Sequence, residues 1–248
     1  DRPDHGPLSV KGLIVAIQFL TRLPTPRIAV SGAEFAASMR WFPAVGLIVG
    51  AIVAAGCRAG AEVDPWTAAL AGLVLWVAVT GALHLDGLGD IADACGAAHK
   101  DRDRVLAVLA DPHLGSFGAV AIGLQLLAKL LLLHALVASS AYAAIALIPF
   151  AARIGPLFWT RWLPDLHAGL AARFRDAVRP MDLAIWTLAL LAAAWFSPSL
   201  LATPLLLFGW AAWLWRKLGG ISGDGHGGGI EATETGLLLA ALLVARFA

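Results

Sequence analysis

Three aspartates follow one another at helical spacing in the middle of an otherwise apolar chain. Asp86, Asp90 and Asp93 stand at positions i, i+4 and i+7, which places them on one face if the stretch is helical. Like charges on one face repel each other, and a hard divalent cation such as Mg²⁺ removes that repulsion because it prefers oxygen ligands. The spacing predicts a metal site, with a solvated helix end as the alternative. His84 could orient a carboxylate, relay a proton, or be an ordinary interfacial residue.

A glycine-rich stretch near the carboxyl end carries a second group of acidic residues. Seven of the eleven residues in 219–229 are glycine, so we expect a loop whose backbone N–H groups can turn toward an anion. Asp224 lies within this stretch and is predicted to belong to the site. Glu231 and Glu234 follow at the predicted start of the last helix, where they either support the site or simply complement the helix dipole.

Charged residues elsewhere could serve the same site. Lys129 and Arg153 lie inside predicted membrane spans, where cations normally face the bundle interior and pair with an acidic group. We expect their partners to be the aspartates or a substrate phosphate. Asp111 precedes the third predicted span and is expected to join the site. The mixed-charge run at 100–104 fits a solvated loop as well as a phosphate-binding segment, and both interpretations stay open.

Composition places these residues in an integral membrane protein. The 248 residues are 59% hydrophobic and 14% charged, whereas soluble domains carry roughly 25% charged residues. The net charge of +1 and the lack of a long basic run argue against a nucleic-acid partner. We predict a single-domain, all-α polytopic transmembrane bundle over 1–248. The run 13–20 is too short to span and is predicted to be an interfacial or re-entrant helix. About seven spanning helices are expected, at 41–57, 66–83, 116–137, 141–159, 183–196, 204–215 and 236–248.

Basic residues alternate between the connections of this bundle. The connections around 22–40, 84–113, 151–182 and 216–235 carry most of the lysine and arginine residues. The connections 58–65, 138–140 and 197–203 carry one between them, Arg58. The positive-inside rule places the basic side in the cytoplasm. Both acidic stretches fall on that side, so we expect them to form one site.

The chain resembles the cobalamin synthase family, the adenosylcobinamide-GDP ribazoletransferases of late vitamin B12 synthesis. Matching residues include Arg153 and the stretches at 19–24, 41–46, 80–93, 111–118 and 219–224, which follow the family's order along the chain. Departures are few: Ser222 stands where the family usually has Thr, and Gly228 where Ala is common. Residues 99–100 replace a Gly-Gly-Arg-like run, which weakens any firm role for Lys100.

The resemblance implies a Mg²⁺-dependent transferase of the prokaryotic inner membrane, with its active site facing the cytoplasm. It would join adenosylcobinamide-GDP to α-ribazole, or to α-ribazole 5′-phosphate, and release GMP. Its surroundings would be membrane lipid, and the sequence is compatible with a homo-oligomer.

Residue roles follow from the chemistry that this resemblance implies. Displacing GMP from a diphosphate needs metal-neutralised oxygens, a cationic clamp and a positioned hydroxyl. We expect Asp86, Asp90 and Asp93 to hold Mg²⁺, and Asp224 to complete that site or hold a second ion. Asp93 is the expected proton acceptor, with His84 as a second catalytic candidate. The expected phosphate contacts are Arg22, Arg40, Lys129 and Arg153. The expected supporting acidic residues are Asp111, Glu231 and Glu234.

Two other functions fit parts of the sequence. A CDP-alcohol-type membrane phosphotransferase also uses an aspartate-rich helix beginning Asp-Gly, but its signature needs Ala-Arg soon afterwards. Here Leu88-Gly89-Asp90 follows instead. A divalent-cation transporter would need acidic residues near the membrane midplane, along a path open to both sides. The one-sided clustering of the acidic residues disfavours transport.

Overall fold

The chain is helical in the computed structural model, which describes residues 9–97, 102–166 and 170–247. Two short 3₁₀ turns, at Met39–Trp41 and Pro198–Ala202, interrupt the α-helices, and the described residues form no β-strand. In chain order the helices are α1 (Val10–Leu20), α2 (Gly32–Ser38), α3 (Phe42–Gly60), α4 (Pro65–Thr80), α5 (Leu83–Ala97), α6 (Arg102–Leu109), α7 (Ser116–Ala138), α8 (Tyr142–Ala152), α9 (Gly155–Trp162), α10 (Leu170–Ala177), α11 (Pro180–Ala194), α12 (Thr203–Lys217) and α13 (Gly223–Phe247).

Several of these helices are long and apolar enough to cross a membrane. Within the described ranges, five stretches meet the criteria of length and composition: Gly32–Gly60, Ser116–Ala138, Tyr142–Trp162, Pro198–Lys217 and Gly223–Phe247. A sixth span results if α4 and α5, which are bent by 84° at their junction, are taken as one. The predicted all-α polytopic fold is confirmed.

Two of the seven predicted spans correspond to shorter helices. α4 has 16 residues and α11 has 15, which is about 24 and 22 Å of helix, less than the roughly 30 Å of a hydrocarbon core. Ile221 N donates to Pro164 O (2.9 Å), and Leu166 N donates to Ile221 O (3.0 Å), which joins the segment between α9 and α10 to the segment between α12 and α13.

The bend between α4 and α5 is made by two residues in the left-handed region. Gly81 has φ +61° and Ala82 has φ +60°. A glycine adopts this conformation freely, whereas an alanine loses roughly 1 kcal/mol by it. The Asp86 N–H already donates to Ala82 O at 2.9 Å, so a new helix starts at once in a different direction. This turn sets α5, with its aspartates, at a steep angle to α4.

The prediction of a loop at 219–229 is wrong, because α13 begins at Gly223 and includes most of the glycines. Ser222 caps this helix by accepting the Gly225 N–H on its hydroxyl (3.1 Å). The glycines lie where α13 meets α5 closely: a Cβ on Gly227 would be in van der Waals contact with His84 Cα (3.4 Å), and one on Gly228 with Leu88 Cα (3.4 Å). Helix contact outweighs the low helix propensity of glycine, as in other close-packed membrane helices.

Glycines also allow α3 to approach α8, and this contact can be tested. A Cβ on Gly50 would overlap the carbonyl oxygen of Ala146, whereas one on Gly209 of α12 would meet nothing within 4 Å. We expect Gly50→Ala to lower the free energy of unfolding by about 1–3 kcal/mol, because the helices must separate. Gly209→Ala is the matched control and should be neutral or stabilising. Thermal unfolding in detergent measures both, and equal midpoints would contradict this account of the α3–α8 contact.

Candidate active site

The predicted acidic face exists, and α13 brings a fourth carboxylate to it. Asp86 is exposed on α5, while Asp90 and Asp93 are half-buried one and two turns further on. Asp224 lies in the first turn of α13, and a Cβ on Gly87 would lie 3.0 Å from its Cα. The carboxylates of Asp86, Asp93 and Asp224 are all close enough to Asp90 to repel it. We call these four aspartates the acidic cluster.

Asp93 has a second set of partners that sequence reasoning missed. Its two carboxylate oxygens accept the backbone N–H groups of Gly115 (2.8 Å) and Gly118 (2.9 Å). These groups belong to the start of α7, where N–H groups lack partners within the helix and a negative charge is favourable. A Cβ on either glycine would collide with the carboxylate. Asp93 therefore fastens α7 to α5, and the Gly-x-x-Gly before an apolar run was the available signal.

The acidic cluster fits a cation shared with a substrate, not a cation held by the protein alone. Among the described residues, no three His, Cys, Asp or Glu side chains converge closely enough to hold a metal ion. Mg²⁺ at phosphoryl-transfer sites usually takes only one or two carboxylates and completes its coordination with water and substrate phosphates. Four neighbouring carboxylates offer the right donors for that arrangement.

A second group of charged residues lies deeper in the bundle. Lys129 Nζ is 2.7 Å from Glu231 Oε2 and 2.6 Å from Glu234 Oε2, and Arg153 Nη1 is 2.7 Å from Glu234 Oε1. All four side chains are at most 4% exposed. We call them the buried charge layer. The sequence predicts that the cations meet the aspartates or a phosphate and that the glutamates support the metal site, whereas the structure pairs these cations and glutamates with one another.

His84 lies between the acidic cluster and the buried charge layer. It is 2% exposed, and its Nδ1 is 3.4 Å from Arg153 Nη2. Its Nε2 atom is buried without a hydrogen-bond partner among the described residues. His84 is thus on the inner side of α5, while Asp86 is on the outer side. Its predicted catalytic role stays a prediction.

Arg22 lies at the bend that leads into α5. Its backbone N–H donates to Val79 O at 2.7 Å, and its exposed side chain lies against Gly81. The guanidinium is therefore close to the start of the helix that carries the acidic cluster. This position suits the predicted phosphate contact.

Arg40 lies in the 3₁₀ turn before α3 and is half-buried. Its Nε donates to Ala37 O at 3.1 Å, whereas its Nη1 is buried with no partner among the described residues. The charges that act on it are Arg179 and Asp182, and these two bind each other at 2.9 Å. Arg40 thus keeps a buried donor group unused, and its predicted phosphate contact stays a prediction.

Asp111 lies in an exposed turn and binds His113. The His113 Nδ1 is 2.7 Å from Asp111 Oδ1, and the carboxylate is 55% exposed. Hydrogen bonds from the ring and the backbone of His113 lower the pKa of Asp111. Its predicted place in the metal site stays a prediction. Lys100 and Asp101 lie outside the described residues, as do the side chains of Arg102 and Arg104.

Comparison with known proteins identifies relatives over nearly the whole chain. The family model of cobalamin-5-phosphate synthase matches residues 12–242. An adenosylcobinamide-GDP ribazoletransferase of Novosphingobium aromaticivorans is 66% identical, covering 93% of this chain and 95% of the relative. Proteins of the same name are 52% identical in Laribacter hongkongensis (96% and 98% covered) and 47% identical in Thiobacillus denitrificans (94% and 95% covered). No solved structure matches the chain.

The different neighbours of Asp90 and Asp93 give a testable contrast in stability. Asp90→Asn should raise the thermal midpoint in metal-free buffer, because it removes repulsion from three carboxylates. Asp93→Asn should lower the free energy of unfolding by about 1 kcal/mol, since an amide cannot accept both N–H groups that cap α7. Thermal unfolding in EDTA measures both variants. An Asp93→Asn protein as stable as the wild type would show that this cap contributes nothing.

Proposed function

The chain belongs to the cobalamin-5-phosphate synthase family of membrane transferases, and we propose that it joins adenosylcobinamide-GDP to α-ribazole 5′-phosphate, or to α-ribazole, in a Mg²⁺-dependent reaction. The observation that supports this proposal is the acidic cluster at the contact between α5 and α13. The cluster provides carboxylate oxygens that can bind a cation, and Arg22 lies close by at the start of α5.

The reaction exchanges the phosphoric anhydride bond of a diphosphate for a phosphate ester bond. A ribose hydroxyl oxygen of the ribazole attacks the phosphorus that carries the cobinamide ester. The bond from that phosphorus to the bridging oxygen breaks, and GMP leaves with the bridging oxygen and its electron pair. The hydroxyl proton passes to a carboxylate of the acidic cluster. Bound Mg²⁺ supplies neutralisation of the diphosphate oxygens.

Each aspartate has a role that agrees with its surroundings. One or two carboxylates of Asp86, Asp90 and Asp224 would hold the cation, and substrate phosphate oxygens and water would complete its coordination. Asp93 would accept the hydroxyl proton, since each carboxylate oxygen that binds an α7 N–H group retains a second lone pair. His84 would orient the inner side of α5 through Arg153.

The phosphate contacts we propose are Arg22 and Arg40. Arg22 is exposed beside the start of α5, and Arg40 has a guanidinium nitrogen without a partner among the described residues. Lys129 and Arg153 are not included, because both already bind glutamates inside the bundle.

The distribution of basic residues supports an inner-membrane protein whose active site faces the cytoplasm. Membrane lipid would surround the spans, and a homo-oligomer is compatible with this arrangement. Cation transport is a weaker alternative, because the carboxylates Glu231 and Glu234 are neutralised by Lys129 and Arg153. A transport path would need such groups to be available to the cation.

The reaction can be tested with the purified chain. Adenosylcobinamide-GDP, α-ribazole 5′-phosphate and Mg²⁺ should give GMP and a cobalamin phosphate in equal amounts, and EDTA should stop both. Asp224→Asn should lower kcat at least about 100-fold, because a cation donor is lost. The matched control is Glu62→Gln, an exposed carboxylate in the connection between α3 and α4. Folded wild-type protein that releases no GMP would refute the proposed reaction, and α-ribazole in place of its phosphate shows which acceptor is preferred.

The unused donor of Arg40 predicts a defect in substrate binding. Arg40→Gln should raise the KM for one of the two substrates about 10-fold, the equivalent of roughly 1.4 kcal/mol for a lost charged hydrogen bond. The free energy of unfolding should fall by no more than about 1 kcal/mol, because the side chain loses only the hydrogen bond from Nε to Ala37 O and Nη1 has no protein partner to lose. Arg58→Gln is the control, since Arg58 is exposed and lies against Tyr142. Unchanged KM values for both substrates would remove Arg40 from the site.

A further inference from the structure

The buried charge layer joins helices from across the bundle at a single level. Lys129 comes from α7, Arg153 is the residue that ends α8, and Glu231 and Glu234 come from α13. The layer also touches α4, because Lys129 Nζ lies 4.3 Å from the centre of the Trp76 ring. It touches α5 through His84 and Arg153. The helices that carry the acidic cluster are therefore tied to the rest of the bundle here.

Stability alone does not account for the buried charge layer. Removing four ions from water is costly, and apolar side chains of similar size would fill the same space without that cost. Charged side chains inside a membrane bundle are rare for the same reason. What they provide beyond apolar packing is specificity, since charges satisfy each other in one arrangement and not in neighbouring ones.

The contacts of the layer fix the position of α13 along its axis. Lys129 Nζ reaches both glutamates, and Gln125, one turn earlier on α7, lies 2.7 Å from Glu231 Oε2 and 2.8 Å from Thr235 Oγ1. A slip of α13 by one turn would move it by about 5.4 Å and break all of these contacts. An apolar interface between the same helices would tolerate such a slip far better.

This fixed position is transmitted to the acidic cluster by the helix itself. Glu231 and Glu234 follow Asp224 by 7 and 10 residues, which is about 10 and 15 Å along a continuous helix. We propose that the buried charge layer is a register lock: Lys129, Glu231 and Glu234 are positioning residues that set Asp224 opposite Asp86 and Asp90. The inference rests on the proposed function for the role of the acidic cluster, but the register itself can be measured separately.

A cysteine pair reports the register without any metal. Leu88→Cys and Gly228→Cys, in a Cys57→Ala/Cys95→Ala background, should form a disulfide on mild oxidation, because a Cβ on residue 228 lies 3.4 Å from the Cα of residue 88. Adding Lys129→Met with Glu231→Gln removes one cation and one carboxylate of the layer, and with them both ion pairs of Lys129, and leaves Arg153 with Glu234. We expect the fraction of cross-linked protein to fall several-fold while the thermal midpoint stays the same or rises.

A second measurement connects register to the acidic cluster. Mn²⁺ binding is followed by electron paramagnetic resonance with adenosylcobinamide-GDP bound and no ribazole present, so that no turnover occurs. In the Lys129→Met/Glu231→Gln protein the Mn²⁺ affinity should fall about 10-fold or more, as it does when groups that orient metal ligands are removed. Lys11→Met/Glu34→Gln makes the same chemical changes in an exposed ion pair between α1 and α2 and should leave the affinity unchanged.

The outcomes separate the two proposals. A folded Lys129→Met/Glu231→Gln protein with wild-type cross-linking and wild-type Mn²⁺ affinity would overturn the register lock. Wild-type protein that binds no Mn²⁺ would count against the proposed function, and the cross-link would still decide the register. If the double variant does not fold, Lys129→Met/Glu231→Met decides on the same readouts, since it removes the same two charges and leaves two apolar side chains of similar length in their place. Unchanged values in that variant would overturn the lock as well.

Discussion

The backbone contact between α5 and α13 is the constraint on which the candidate site depends. A Cβ on Gly87 would lie only 3.0 Å from Asp224 Cα, so a larger residue there would push the two helices apart, and Gly227 and Gly228 face α5 at 3.4 Å. The contact brings Asp224 to three aspartates that are more than 130 positions earlier in the chain. It also sets four negative charges near each other, which is unfavourable until a cation binds. The packing of the surrounding helices must offset this unfavourable electrostatic free energy, as is common at functional sites.

The two groups of charged residues differ in how their charge is balanced. In the buried charge layer two cations meet two carboxylates, so the layer is neutral by itself and closed to solvent. The acidic cluster lies nearer the end of the bundle and has carboxylates in excess. The first arrangement suits a fixed internal contact, and the second suits an exchangeable cation. The low exposure of Lys129 and Arg153 thus distinguishes the buried charge layer from the acidic cluster, a distinction that the sequence alone does not show.

Sequence reasoning recovered the membrane fold, the helical spacing of Asp86, Asp90 and Asp93, and the expectation that Asp224 joins them. Those features depend on local periodicity and on the side of the membrane, both of which a sequence displays. It predicted a loop at 219–229 because isolated glycines disfavour helices, and the helix contact that reverses this preference involves α5, far away in the chain. The partners of Lys129 and Arg153 depend on which helices meet, which spacing does not reveal. Gln125, one helical turn before Lys129, was the available sign of a polar contact at that level.

Because α13 is a continuous helix from Gly223, the number of residues between Asp224 and Glu231 is fixed by the contacts at both positions. One residue more or less between Asp224 and Glu231 would rotate the two ends of the helix by about 100° relative to each other. Asp224 could then face α5 only if the glutamates turned away from Lys129. This stretch should therefore accept exchanges of one small residue for another over evolutionary time, but not insertions or deletions.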